Sequence, residues 1–494
     1  ICGGLLAWMY SFKNIKPDHK VTAGVIGFLA VYLILFAVGT SVKKMYRIFP
    51  AAVLLVLICE LFVLDYPSLW HRESPTRNQV ATEYYNDGTK EAVAMLKEQD
   101  DSVYRIEKSY TSASENDGMS QGYNGLSVYM STNPASLVAY HKMYGPETLS
   151  GNFVDFNMDD YIRSSLLGTK YLITGTGYHA PQKIYTSVGE AGGRSVFENQ
   201  YAFPFGYLYD KEWNQEEVKE MSGLDKTLAS LSGFYYTDAE ETPSYQKADL
   251  PEQTDLSLLD YADTATDCTM EKGSEGITVS NLGADPNVVF PGVASCFADN
   301  DKLYGLSLTV DAPDETEMAV YYQTEGDEGF SAEKVYTFKV TEDNRTWEHL
   351  VPGGITELRV DVSSPVESAV INNFELKSCD ITESGYTALK ESGADEVTFS
   401  DSTYQAQVTN DASENKMLCV PLFYQKGWTA QIDGEDAGVY NINEGMCGVE
   451  VPSGTHEIVL KYETPYQNYG VGMTIIGIII FILAFSQNLY KFFV

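Results

Sequence analysis

The feature that most constrains this chain is an uncharged apolar run, Val21 to Thr40, reading VTAGVIGFLAVYLILFAVGT. As a helix it matches the roughly 30 Å hydrocarbon core of a bilayer. A second apolar run, Ile48 to Leu64, carries a single acid, Glu60. Ile1 to Phe12 reads as the end of an earlier span. Gly470 to Phe485 reads as the last one, with Tyr462, Tyr466 and Tyr469 placed for an interfacial belt. The chain opens on Ile inside an apolar stretch, without a signal-peptide pattern, so the expectation is a chain that starts partway through a longer protein. Glu60 has two readings, a functional intramembrane acid or a group in a helix interface or near the outer boundary.

Lys43, Lys44 and Arg47 lie between the two full runs. The positive-inside rule puts that loop in the cytoplasm, the long segment after Leu64 outside, and Lys491 back inside. Lys13, Lys16 and Lys20 run against this orientation. The expected localisation is therefore a multi-pass bacterial cell-membrane protein with a large extracytoplasmic domain.

A length of 494 residues allows about three domains at roughly 150 residues each. The formal net charge of −36 disfavours nucleic acid and flat adsorption on anionic lipid. A polyanionic ligand would need a local basic pocket or divalent cations. The plain reading of the charge is an acidic, solvated surface. The 35 tyrosines suit carbohydrate contacts and exposed sheets equally. Of seven cysteines, Cys2 and Cys59 fall in apolar segments. Cys268, Cys296, Cys379, Cys419 and Cys447 form no CxxC pair, which disfavours a zinc ribbon. Five is odd, and Cys419 with Cys447 is the first pair to test as a disulfide.

Periodicity divides the chain. Residues 1–65 are transmembrane helices. Residues 66–250 mix a helix at Thr89 to Gln99, strands at Val103 to Glu107 and Lys170 to Thr174, a helix at Asp159 to Leu167 and another at Gln215 to Leu231. Ser195 to Tyr209 is strand-like, broken at Pro204 and Gly206. Short alternating strands with Gly, Pro and Asp turns predict a β-sandwich at 256–380 and a C-terminal β-rich module at 381–466, with Asp433-Gly434 and Ser453-Gly454 as hairpin turns. A C-terminal transmembrane helix closes the chain at 470–486. The fold class is thus membrane α-helical segments plus a large extracytoplasmic α/β domain and β-sandwich, jelly-roll-like modules.

Familiar catalytic patterns are missing: no GxSxG, HExxH, Walker loop or Rossmann fingerprint. The histidines show no metal-ligand spacing, which disfavours a metal-dependent hydrolase. Asp299-Asn300-Asp301 reads as a turn before a calcium site. In the cluster of Asp155, Asp159 and Asp160, Asp159 is better explained as a helix start than by catalysis. Asn116 to Thr132, NDGMSQGYNGLSVYMST, alternates polar groups with Gly, Tyr123 and Tyr129. Such a loop offers stacking faces and amide and hydroxyl donors to a sugar, or is a well-packed polar loop. Asn116, Asp117, Tyr123 and Tyr129 are the candidate substrate-binding residues. No catalytic or metal-binding residue is assigned and no cofactor is called for, with a divalent cation left as an open alternative.

Five stretches in order resemble the YfhO family of bacterial multi-spanning membrane proteins: Asn116-Asp117 with GYNGLSVYMST, Leu166 to Tyr171 (LLGTKY), Glu198-Asn199 followed by Ala202-Phe203-Pro204, Gly427 to Gly434 (GWTAQIDG), and Val451 to His456 (VPSGTH). The resemblance covers nearly the whole chain and is thinnest over 256–380. It implies a GT-C-like glycosyltransferase that moves a sugar from a polyprenyl-phosphate donor to a cell-envelope polymer such as teichoic or lipoteichoic acid, beside the lipid bilayer and without nucleic acid. It places the catalytic acid upstream of this chain, so no residue here inherits that role. Gly168 and Gly434 would serve turns, and Trp428 core packing. The competing expectation is a non-catalytic envelope protein whose β-modules bind glycans or brace a membrane complex.

Overall fold

The structure is a computed structural model that describes residues 19–42, 48–65, 76–114, 116–144, 153–154, 160–175, 177–178, 180–237, 242–362, 367–400 and 402–493. Ile1 to Phe12, the Lys43 to Arg47 loop, Asp155 and Asp159 lie outside the described residues. Two compact units divide between Ala81 and Thr82.

In the first unit the apolar runs form the helices His19–Ser41 and Phe49–Glu60, the second continued by a π-turn over Leu61–Asp65. Pro50 stands in the first turn of the second helix, where its missing N–H costs nothing. Thr22–Gly39 is, among the described residues, the one stretch long and apolar enough to cross a membrane by length and composition; Phe49–Leu64 and Gln467–Leu483 are shorter apolar helical segments. The Tyr32 hydroxyl donates to Glu60 Oε2 at 2.7 Å, which supports the helix-interface reading of this acid.

The second unit is mostly β-sheet. Its first layer is a four-stranded sheet in the order Arg105–Lys108, Thr169–Gly175, Arg194–Asn199, Tyr185–Ala191. The first pairing is parallel and the other two antiparallel. The helix Thr89–Gln99 covers it with Ala92, Val93 and Leu96. The helix start read at Asp159 falls one residue later: Asp160 caps Tyr161–Leu166 by accepting from the backbone N–H groups of Ile162 and Arg163. The single helix expected at Gln215 to Leu231 is two, Gln215–Glu220 and Gly223–Ser232. Met221 is extended, and Ser222 begins a new helix by accepting from Asp225 N–H. A local N-cap outcompetes continuous helical periodicity there.

Residues after Thr254 form two antiparallel sheets. One runs Thr269–Gly273, Gly276–Ser280, Ser368–Asp380, Lys302–Asp311, Thr346–Val351, with Thr254–Ser257 also paired to Ser368–Asp380. The other runs Thr264–Thr266, Asn287–Phe290, Ile355–Val362, Thr316–Thr324, Val335–Val340. One core joins residues of both sheets, including Phe290, Leu306, Val320, Leu358 and Phe374. Burial alternates along Ile355–Val362 and Ser368–Asp380, as expected of strands with one face inward.

The C-terminal strands also form two sheets: Asp395–Ser400, Thr403–Asn410, Gly454–Tyr462, Trp428–Ile432, Glu435–Ala437, and Tyr440–Ile442, Met446–Val451, Lys416–Phe423, Tyr207–Tyr209. The last strand crosses the boundary read from sequence, because Tyr207–Tyr209 pairs antiparallel with Lys416–Phe423. Gly206 (φ +140°) makes the entry, and a Cβ there would lie 2.5 Å from the Tyr404 hydroxyl. Asp433 and Gly434 both have positive φ (52° and 85°), as the predicted hairpin turn requires.

The expected Cys419–Cys447 disulfide is corrected. Their strands are neighbours, but Cys419 faces Gly448 and Cys447 faces Val420. An offset of one residue sends the two side chains to opposite faces of the sheet, and each joins a different core. Both thiols are free, and burial pushes Cys419 up to about 12 and Cys447 well above its ordinary value. Alkylation under native conditions should therefore spare both, and denatured protein should have the same mass with and without reductant at the peptides that contain them. A 419–447 bridge in the peptide map would contradict this register.

Candidate functional site

Strand Arg105–Lys108 delivers Lys108 to the edge of the first layer, and the following loop curls over it. Asp117, the first residue of the short helix Asp117–Gln121, organises that loop. Its carboxylate accepts from the backbone N–H of Ser112 (2.6 Å), Ala113 (3.1 Å) and Ser114 (3.0 Å), and from Lys108 Nζ (2.8 Å). Lys108 Nζ also donates to Ser112 Oγ (2.6 Å) and Gln121 Oε1 (3.2 Å), so each of its three protons has an acceptor. Behind this, Asp87 accepts from Thr89, Ser112 and Gln121 and pairs with Arg194 at 3.1 Å. Arg194 lies over the Tyr110 ring at 4.0 Å.

These contacts set the protonation states. Burial works to raise Asp117, but the Lys108 bond and the backbone N–H groups of Ser114 and Ser112 outweigh it and hold the carboxyl below the usual range. Asp87 is likewise lowered, burial being outweighed by bonds from Ser112 and Thr89 and by Arg194. Burial raises the Tyr123 hydroxyl, and pushes Tyr110 up to about 12 against the opposing effects of Thr89 and Arg194. Both phenols are therefore neutral at physiological pH.

Tyr123 follows the helix and sits against two glycines. A Cβ on Gly118 would lie 2.9 Å from the Tyr123 carbonyl oxygen, and one on Gly125 3.2 Å from its ring. The ring borders two clefts. The first, about 560 Å³, lies between this loop, Pro181 to Tyr185, the sandwich strands that carry Tyr322 and Tyr336, and Glu333 in the turn before the second of these strands. The second, about 750 Å³, lies on the other side of the loop and reaches Phe205, Phe399 and Leu422.

The four sequence-predicted residues are thus neighbours with different placements. Asn116 is bound to one backbone unit, accepting from Tyr129 N–H (3.0 Å) and donating to Tyr129 C=O (2.8 Å). Asp117 is 3% exposed and holds the loop. Tyr123 lines both clefts. Tyr129 is 52% exposed and lines neither. Lys108, Tyr110, Glu333 and Tyr336 escaped sequence reasoning. They come from segments far apart in the chain, and no local spacing announces their meeting. Asp299 accepts from Asp301 N–H at 3.0 Å, the turn geometry expected there.

Among known proteins, the family described as Bacterial membrane protein YfhO matches residues 1–474. The chain belongs to the YfhO family. It is 21% identical over 501 residues to protein YfhO of Bacillus subtilis (strain 168), covering 96% of this chain and 55% of that protein, so the chain spans about half the length of its relative. Solved structures similar to parts of this YfhO chain include the C-terminal CBM6 of LamC, a marine laminarinase from Zobellia galactanivorans (13% identity, 26% of this chain and 100% of that one, TM-score 0.17). Another is the arabinofuranosyltransferase AftD from Mycobacteria (15% identity, 33% of this chain and 13% of that one, TM-score 0.14). At these scores neither likeness carries an argument about this chain.

Asp117→Ala leaves the Lys108 ammonium buried without its partner, and should cost about 3–5 kcal/mol in denaturant unfolding of the YfhO chain. Tyr129→Ala, at an exposed position, should stay within about 0.5 kcal/mol. Asp117 has a lowered folded pKa, so its contribution is full above the unfolded value near ~3.9 and is lost as pH falls through the folded value. The acid limb of the stability curve should therefore be shallower in Asp117→Ala. An unchanged limb would contradict the carboxylate's role.

Proposed function

We propose that this chain is the C-terminal part of a GT-C-like membrane glycosyltransferase. The whole protein would transfer a sugar from a polyprenyl-phosphate donor to a cell-envelope polymer such as teichoic or lipoteichoic acid. The β-rich region would lie outside the cell membrane of a multi-pass protein and position the acceptor. The observation that carries this reading is the 560 Å³ cleft, whose walls bring aromatic rings and hydroxyls from the loop of Tyr110 and Tyr123 against those of Tyr322 and Tyr336. Neutral phenols offer a ring face to the C–H face of a sugar and a hydroxyl to its edge. In this role Asn116 and Asp117 hold the loop and Tyr123 meets the ligand, while exposed Tyr129 lies outside the cleft lining.

The electrostatics fit positioning better than proton transfer. Asp117 and Asp87 are saturated with donors and held below the usual carboxylate range, which makes them weak general bases. The base for an inverting attack by an acceptor hydroxyl would come from elsewhere in the parent protein. The same saturation favours the second reading, a non-catalytic envelope protein that binds glycans or braces a membrane complex.

The test is deletion of the parent gene, followed by mass spectrometry of the sugar substituents on each envelope polymer. The expected outcome is loss of one sugar, restored by wild type. Losing a ring contact worth about 1.4 kcal/mol is tenfold, so Tyr123→Ala at equal abundance should restore about a tenth and Tyr123→Phe most of it. An unchanged profile on every polymer would overturn the transferase and leave the binding protein.

A further inference from the structure

The cleft beside Tyr123 carries a charge pattern as well as aromatic rings. Among the described residues that line it, three are carboxylates, Glu107, Asp117 and Glu333, and one is a cation, Lys108. Lys108 is already committed to Asp117, Ser112 and Gln121. It cannot turn to a ligand without breaking a buried ion pair in which both side chains are about 5% exposed or less. Lys334, the neighbour of Glu333, is committed as well. It donates to Thr324 Oγ1 (2.7 Å) and to both oxygens of Asp327 (2.9 and 2.7 Å), and its side chain is 5% exposed. Glu107 lies within electrostatic reach of buried Arg105, which therefore offsets it in part. Glu333 is exposed, and no ion pair to it is formed among the described residues.

Lys108 and Lys334 thus spend their protons inside the protein and Lys183, beside the lining residue Ile184, donates to Asn300 Oδ1 at 2.7 Å, so the charged lining side chain left exposed is Glu333. A phosphodiester entering it would meet the exposed Glu333, which forms no ion pair among the described residues, in a protein of net charge −36. A neutral polyol or sugar pays no such penalty. An amine-bearing one gains from the Glu333 carboxylate. We infer that the cleft selects an uncharged or amine-bearing stretch of its glycan and rejects bare polyphosphodiester, with Glu333 as the selecting residue. This rests on the reading that the cleft holds a glycan. On a teichoic-type acceptor it means that the protein grips a sugar- or amine-substituted repeat rather than the phosphate backbone.

The test uses the full chain in nanodiscs and three probes of matched length: a neutral glucose oligomer, a glucosamine oligomer and a glycerol-phosphate oligomer. Each is titrated by calorimetry at low and high salt, with wild type, Glu333→Gln, Glu333→Lys and Tyr123→Ala. The glucosamine oligomer should bind about three- to tenfold tighter than the neutral one at low salt, and the gap should close at high salt. Glycerol phosphate should not bind wild type. Glu333→Gln should remove the amine preference while leaving the neutral oligomer unchanged, and Glu333→Lys should admit glycerol phosphate. Tyr123→Ala should weaken both sugars. Glycerol phosphate binding wild type as tightly as the neutral oligomer, or an amine preference indifferent to Glu333, would overturn this inference and leave the glycan cleft standing. Failure of all three probes, with Tyr123→Ala silent, would overturn the glycan cleft itself.

Discussion

The arrangement of the second unit depends on one buried carboxylate. Asp160 accepts from the backbone of Ile162 and Arg163, from the Arg163 side chain and from Thr227 Oγ1, so all its lone pairs are used. Arg163 in turn donates to the Tyr144 carbonyl. These bonds tie the helix Tyr161–Leu166 to the helix Gly223–Ser232 and to Ala135–Tyr144. His349 of the sandwich lies within electrostatic reach, and burial pulls it below its ordinary value despite the nearby carboxylate. The group thus joins the first layer to the sandwich edge. Tyr161, next along the chain, and Tyr336, whose ring contacts His349, both line the cleft.

A second carboxylate repeats the device at smaller scale. Asp117 gathers three backbone N–H groups and Lys108, and so turns a Gly-rich segment into a defined wall. Lys334 and Asp327 do the same for the opposite wall. Each pair immobilises the loop that presents an aromatic ring, which lowers the ordering cost of binding. Buried pairs of this kind add little net stability compared with apolar packing. Their consequence here is that cleft charge and cleft shape are set together: Lys108 and Lys334 are used for structure, and the cleft lining keeps aromatic and acidic side chains.

Local features were legible in the sequence. The helix Thr89–Gln99 coincides with the predicted one because its apolar residues repeat at helical spacing. Short alternating strands with Gly, Pro and Asp turns announced strands such as Lys302–Asp311, Thr316–Thr324 and Ser368–Asp380 without fixing their pairing, and Asp433-Gly434 announced its own turn. Asn116 to Thr132 shows its polar and glycine pattern in the sequence but not its short helix Asp117–Gln121, and which of its side chains are spent on the backbone depends on where Ser112 and Tyr129 fold back. Register and long-range docking were illegible. Nothing near Tyr207 signals its pairing with Cys419, and nothing in the Cys419–Cys447 spacing reveals that the thiols face opposite ways. The sandwich wall of the cleft was missed for the same reason, since Glu333 and Tyr336 read locally as an ordinary strand entry.

The central claim is that the cleft bordered by Tyr123 is where the protein meets its glycan. The most direct measurement is an electron cryo-microscopy structure of the parent protein with an amine-bearing or neutral acceptor oligosaccharide bound. The account predicts sugar density between the Tyr123 ring and the Tyr336 wall, with the Lys108–Asp117 pair undisturbed. Well-ordered ligand seated elsewhere, with this cleft empty, would contradict it.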